Sequence, residues 1–117
     1  MSATELAQKA VELALEKKGH QIVKMDISKL TNISDYFVVI SGDSNVQIKA
    51  IAEHIEDGLR NEGVHLYHKE GYQNLSWVLL DYVDVVIHVF NNESRAYYGI
   101  EKLWGDAKIE LVTEPVK

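Results

Sequence analysis

The chain has 117 residues, 46% hydrophobic and 26% charged, the size and balance of one globular domain, which excludes a disordered or fibrous polypeptide. Eighteen acidic against twelve basic residues leave a formal charge of −6, so a grip on nucleic acid phosphate is not its main mode of binding and a basic protein partner suits it better. No cysteine is present, which excludes disulfides, thiolate metal sites and cysteine nucleophiles. The N-terminus lacks the basic start and apolar run of a signal peptide and no run approaches a membrane span, so the reading is a cytoplasmic protein.

In chain order, Thr4 to Lys18 predicts a first helix with Leu6, Ala10, Leu13 and Ala14 along one stripe, Ser2 and Glu5 as a capping box and Gly19 at the C′ position. His20 to Asp26 and Asp35 to Ile40 read as strands joined by Ile27 to Ser34. Ser41 to Asn45 is a turn, and Ser44 with Gln47 opens a second helix on the stripe Ile48, Ile51, Ala52, Ile55 and Leu59, ended by Gly63. Val64 to Lys69 predicts a further strand, followed by a turn at Glu70 to Asn74. Leu75 to Asp81 and Asp84 to Phe90 then form a hairpin across Tyr82 and Val83. Asn92 caps a last helix carrying Ala96, Tyr97, Ile100, Leu103 and Trp104 along one side, with Tyr97, Ile100 and Trp104 as core; Gly105 closes it. Lys108 to Val112 supplies a final strand, and Pro115 marks a frayed tail. The order predicts one α/β (α+β) domain over residues 1–117, with a mixed sheet of about five strands flanked by helices.

The hairpin segment is the most informative. A two-residue loop pairs Asp81 with Asp84, Leu79 with Val86 and Trp77 with His88, all on one face. The other face is Val78, Leu80, Val85, Ile87 and Val89, aliphatic throughout and fit to be covered by helices. The first face gathers tryptophan, histidine and both aspartates and is the candidate working surface. Like charges opposed across the strands, and a Tyr-Val turn without glycine or asparagine, point to a wider loop as an alternative.

The run Trp77-Val-Leu79-Leu80-Asp81-Tyr82-x-Asp84-Val85-Val86-x-His88-Val89-Phe90, followed by Arg95, Tyr98 and Glu101-Lys102-Leu103-Trp104, resembles the ribosomal silencing factor (Iojap) family. The similarity extends to Asp35-Tyr36-Phe37-Val38, Ser41-Gly42 with Ser44 and Gln47, Ala50-Ile51-Ala52 and Glu70-Gly71. The family usually has glycine where this chain has Val83. The resemblance implies a nucleotidyltransferase-like fold and a factor that docks on the large ribosomal subunit through ribosomal protein L14, blocks joining of the small subunit and damps translation under nutrient limitation. It also implies a homodimer off the ribosome; no cofactor or metal is expected, and with Trp77, Tyr82 and Tyr72 able to stack bases but no basic stripe around them, contact with ribosomal RNA is expected only at the edge of the site. Trp77 and Tyr82 are then aromatic anchors, Leu79 and Leu80 add apolar area, and Glu70, Asp81 and Asp84 meet basic side chains, with His88 on the same surface. By orientation alone Leu80 falls on the covered face, so its place in this set rests on the resemblance.

The rival reading is a nucleotidyltransferase-like enzyme, with Asp81 and Asp84 as carboxylates and the Ser41 to Ser44 turn receiving phosphate. The three-residue spacing of the aspartates does not put both on one face of a single strand, and ordinary capping explains the turn equally well. His65 and His68, three apart on a strand, point to opposite faces and make a poor metal pair.

Overall fold

A computed structural model describes residues 1–112, so the tail reading at Pro115 lies outside the described residues. The first helix, α1 (Ala3–Glu16), starts on the reciprocal pair expected of Ser2-x-x-Glu5: the Ser2 hydroxyl accepts the Glu5 N–H and the Glu5 carboxylate accepts the Ser2 N–H. Its C-terminus departs from expectation, because the left-handed residue is Lys18 (φ 66) and not Gly19. Gly19 is needed for space instead, since a Cβ there would stand 2.9 Å from Ile40 Cγ2.

The next elements are β1 (His20–Asp26), β2 (Tyr36–Gly42) and α2 (Asn45–Asn61). Ser41 and Gly42, read from the sequence as turn, extend β2 because its parallel pairing with the later strand Val85–Asn91 runs on through both residues. Ser44 caps α2 by accepting the Gln47 N–H, but the Gln47 side chain passes it by. Its Oε1 accepts the Asp43 N–H at 2.6 Å and its Nε2 donates to the Lys18 carbonyl at 3.0 Å, tying this turn to the end of α1. The whole predicted stripe of α2 is buried, and Gly63 (φ 79) follows its C-terminus as expected.

β3 (His68–Glu70) is shorter than the predicted strand, because Val64 and Leu66 turn in against the core ahead of it. After it come β4 (Trp77–Asp81), β5 (Val85–Asn91), α3 (Asn92–Tyr98), α4 (Ile100–Leu103) and β6 (Lys108–Leu111). The single last helix of the sequence reading is two, broken where Gly99 turns left-handed (φ 55), and Asn91 rather than Asn92 is its N-cap. The break also moves Tyr97 out of the core to 81% exposure, while Ile100 stays buried.

Among the described residues six strands join one mixed sheet in the order β3-β4-β5-β2-β1-β6, where about five were expected. Only β2 and β5 run parallel; the other neighbours are antiparallel. α1 and α2 cover one face and bury Val78, Leu80, Val85, Ile87 and Val89 as the alternation predicts. The opposite face has a smaller cover: Ile100 and Trp104 pack over Met25, Phe37, Val39, Val86 and Phe90. Toward β4 this cover runs out, and Trp77 and Leu79 are left partly buried.

Within the hairpin, Asp81 pairs with Val86, Leu79 with His88 and Trp77 with Phe90. The register lies two residues from the two-residue-loop pairing, so every side chain keeps its face and the aspartates are no longer opposed. The wider loop turns on Val83 (φ 74): the Tyr82 carbonyl accepts the Asp84 N–H at 3.0 Å, and Asp81 Oδ1 accepts the Val83 N–H at 2.8 Å. A γ-turn with a β-branched residue at positive φ is strained, at a cost on the order of 1–2 kcal/mol. Val83 is exposed and loses little burial when truncated. Val83→Gly is therefore expected to raise the urea midpoint, with a gain of about 1 kcal/mol; an unchanged or lower midpoint would show that the turn is unstrained.

Candidate docking surface

β4 alternates, so Trp77, Leu79 and Asp81 share the thinly covered face while Val78 and Leu80 point to the helices. The Trp77 indole stacks on Phe90 with ring centroids 4.9 Å apart, meets Tyr98 at 4.7 Å and donates its Nε1–H to His88 Nδ1 at 3.1 Å. Behind it the aromatic run continues from His88 to Phe37 at 4.7 Å and from Phe37 to Trp104 at 5.8 Å. Its outer end is open, since Tyr98 is 53% exposed.

Tyr98 reaches Trp77 because α3 is held down by Arg95, whose role the sequence left open. The guanidinium grips Glu101 with two nitrogens at 2.9 and 3.1 Å, and its Nη1 donates to the Gln21 carbonyl at 2.6 Å and Ser41 Oγ at 2.8 Å. Arg95 is thus a latch between α3, α4, β1 and β2, not a contact residue.

On the other side of β4, β3 sets Glu70 against Leu79 and His68 against Asp81, with all three β3 residues exposed. A second pin fixes this edge. The buried Glu56 of α2 accepts the Tyr72 hydroxyl and the Lys69 ammonium, and burial, followed by this carboxylate, holds the Tyr72 hydroxyl pKa well above its ordinary value. Near the hairpin tip, Ile33, Tyr67 and Val83 line an apolar groove with Asp81 and Val86. Sequence reasoning missed Ile33 and Tyr67. A large apolar residue in the polar connector Thr31 to Asp35 was the available signal for the first; Tyr67 was absorbed into an assumed strand.

Of the residues picked from the sequence, Glu70 and Asp84 are exposed and Trp77, Leu79 and Asp81 are half-buried, so these five can be reached by a partner. Leu80, Tyr82 and His88 cannot, and the expectation for them is corrected. Leu80 is fully buried by strand alternation. Tyr82 packs in the helical-side core, where burial, and secondarily Glu56, pushes its hydroxyl up to about 12. His88 lies beneath Trp77 and beside Phe37 at 2% exposure, because the widened hairpin places it opposite Leu79 at the sheet's middle.

Burial drives the His88 pKa down to about 3. A histidine neutral in the fold but free to protonate near 6.5 when unfolded contributes stability that is complete above about pH 6.5 and is lost progressively as pH falls toward 3. Unfolding free energy should fall by about 2 kcal/mol from pH 7.5 to pH 5 on this account, before carboxylates titrate, and His88→Asn should flatten that slope. An equal slope in the variant would assign the loss elsewhere.

The enzymatic constellation does not assemble. Asp84 precedes Val85, which pairs with Tyr36 at one end of the parallel β2–β5 ladder, whereas Ser41 pairs with Phe90 near the other end. The two parts lie roughly 17 Å apart along the strands. Ser41 is buried and engaged by Arg95, and Asp43 is paired with His20 at 2.7 Å. Among the described residues no three histidine, aspartate or glutamate side chains converge as metal ligands.

The described site is an aromatic strip, open to solvent at Tyr98, on one face of the mixed sheet of a small α/β protein. A family model described as "Ribosomal silencing factor during starvation" matches residues 1–117. The chain is 42% identical over 107 residues to a ribosomal silencing factor of Halalkalibacterium halodurans, covering 92% of each chain. Its fold superposes on the crystal structure of a Chromobacterium violaceum protein with a TM-score of 0.88 at 38% identity, covering 100% of this chain and 98% of that one. For a Bacillus halodurans crystal structure the TM-score is 0.79 at 39% identity, over 86% and 94% of the respective chains. The chain belongs to the ribosomal silencing factor family, whose members are non-enzymatic ribosome-binding regulators of translation.

Proposed function

We propose that this protein docks on the large ribosomal subunit through ribosomal protein L14 and thereby blocks joining of the small subunit, repressing translation in the cytoplasm under nutrient limitation. The observation that carries the reading is the Trp77 face: a tryptophan stacked on Phe90 and met by the exposed Tyr98, with Leu79 and Glu70 beside it along the sheet and Asp81 and Asp84 toward the hairpin tip. Aromatic anchors with an acidic fringe suit a basic ribosomal protein, and the net charge of −6 speeds encounter. Such a mechanism needs no bond chemistry, because a body occupying the subunit interface acts by exclusion and its potency is set by affinity. The nucleotidyltransferase-like fold that the family resemblance implies is, on this reading, an architecture without the chemistry. Peripheral contact with ribosomal RNA and a homodimer off the ribosome belong to the same proposal; among the described residues β3 and β6 are the outer strands of the sheet, edges on which a second copy can pair.

The test is sedimentation of tagged protein with purified ribosomal fractions. It should travel with the large subunit and be absent from joined ribosomes; equal recovery with joined ribosomes would overturn the exclusion mechanism.

A further inference from the structure

His88 is placed oddly for a core residue. It sits at 2% exposure among Phe37, Trp77 and Phe90, where its neighbours on the same face are Val39, Val86 and Phe90. Its Nδ1 accepts the Trp77 indole N–H at 3.1 Å, which places the imidazole proton on Nε2. That Nε2 is buried and has no hydrogen-bond partner among the described residues. A buried unpaired donor is unfavourable, and an aliphatic side chain at this position would avoid it altogether. What an aliphatic residue cannot supply is an acceptor for the indole.

We propose that His88 is a positioning residue for the docking surface. By accepting the indole proton it fixes the tilt and depth of the Trp77 ring, so that one ring face lies on Phe90 while Tyr98 meets it from the open side. This rests on the docking reading of the Trp77 strip and adds the reason for a polar atom beneath it. Without the acceptor, the indole N–H is left either unpaired inside or swung out to water, and the ring no longer presents a single shape to a partner. Pre-organised anchors bind better than mobile ones because no ordering cost remains at the moment of association.

The experiment combines His88→Leu, which removes the acceptor, with His88→Asn, whose amide oxygen can take the place of Nδ1. Binding to purified large subunits is read alongside exchange of the Trp77 indole proton by NMR. Expected are a roughly tenfold loss of affinity and fast indole exchange in His88→Leu, with both largely restored in His88→Asn. Should His88→Leu not fold, His88→Gln, whose oxygen reaches the Nε2 position instead, carries the same expected loss. In a Trp77→Phe background, which has no indole proton, the His88 substitutions should change affinity no further. A folded His88→Leu or His88→Gln with unchanged affinity, or equal losses with and without the indole, overturns the assignment. Failure of the docking reading is told apart by Trp77→Ala: if that change leaves binding intact, the surface itself is wrong, whereas if it weakens binding and the His88 changes do not, only the positioning role falls.

Discussion

Trp77→Ala should weaken association with isolated large subunits by about 2 kcal/mol, roughly thirtyfold in Kd, while the protein stays folded. The size follows from where the ring sits. It is half-buried, stacked on Phe90, met at a tilt by Tyr98 and held by one hydrogen bond, so its exposed part is rigid before any partner arrives. Aromatic side chains are the commonest hot spots of protein interfaces, and on the Trp77 face Glu70 stands opposite Leu79, with Asp81 and the tip residue Asp84 further along the hairpin. Truncation also removes packing from the smaller of the two core clusters, so the affinity should be measured at a temperature where circular dichroism shows the variant to be native. A native Trp77→Ala protein that binds large subunits like the parent would remove this face from the interface.

Gly71→Ala is expected to be the most damaging single-methyl addition, with a loss of at least about 3 kcal/mol of stability. Two costs combine. Gly71 has φ +96, a region that side chains disfavour, and an added Cβ would lie 1.9 Å from the Trp77 carbonyl oxygen and 3.0 Å from Val78 Cα. Those are backbone atoms of β4, so nothing flexible can give way. The Gly71 carbonyl also accepts the Leu75 N–H at 2.8 Å, closing the turn that delivers the chain into β4. The glycine therefore sets the seat of β4, which carries Trp77, as well as the stability of the fold. Urea unfolding checks the prediction, and a loss below about 1 kcal/mol would mean that the turn can re-form around a side chain.

Much of this architecture was legible in the residues because it follows from local periodicity. The α2 stripe, the His20 to Asp26 strand and the two faces of the hairpin all came from spacing alone, and all were observed. The hairpin register was not legible: pairing depends on loop geometry, and Tyr-Val-Asp lacks the glycine or asparagine that announces a turn. The faces survived that error because a shift of two residues preserves side-chain direction.

The site divided along a different line. Which side chains share the Trp77 face could be counted, but which of them a partner can touch depends on how far α3 and α4 extend over the sheet. That is fixed by the Gly99 break and by Arg95 reaching Gln21, a contact 74 residues away in sequence. So His88, a sound candidate by residue type, is buried, whereas Tyr97, read as core, is exposed; Tyr82 is buried on the other face, in the core beneath α1 and α2. Ile33 and Tyr67 come to the hairpin tip from separate parts of the chain, a meeting that only the folded topology displays.

The central claim, that this protein acts by occupying the joining face of the large subunit, is tested most directly by light scattering of purified small and large subunits mixed in its presence. The account predicts that joining falls in proportion to occupancy, that the effect does not depend on added nucleotide, and that Trp77→Ala shifts the required concentration upward by the factor measured for binding. Joining that proceeds unchanged on large subunits saturated with the protein would contradict it.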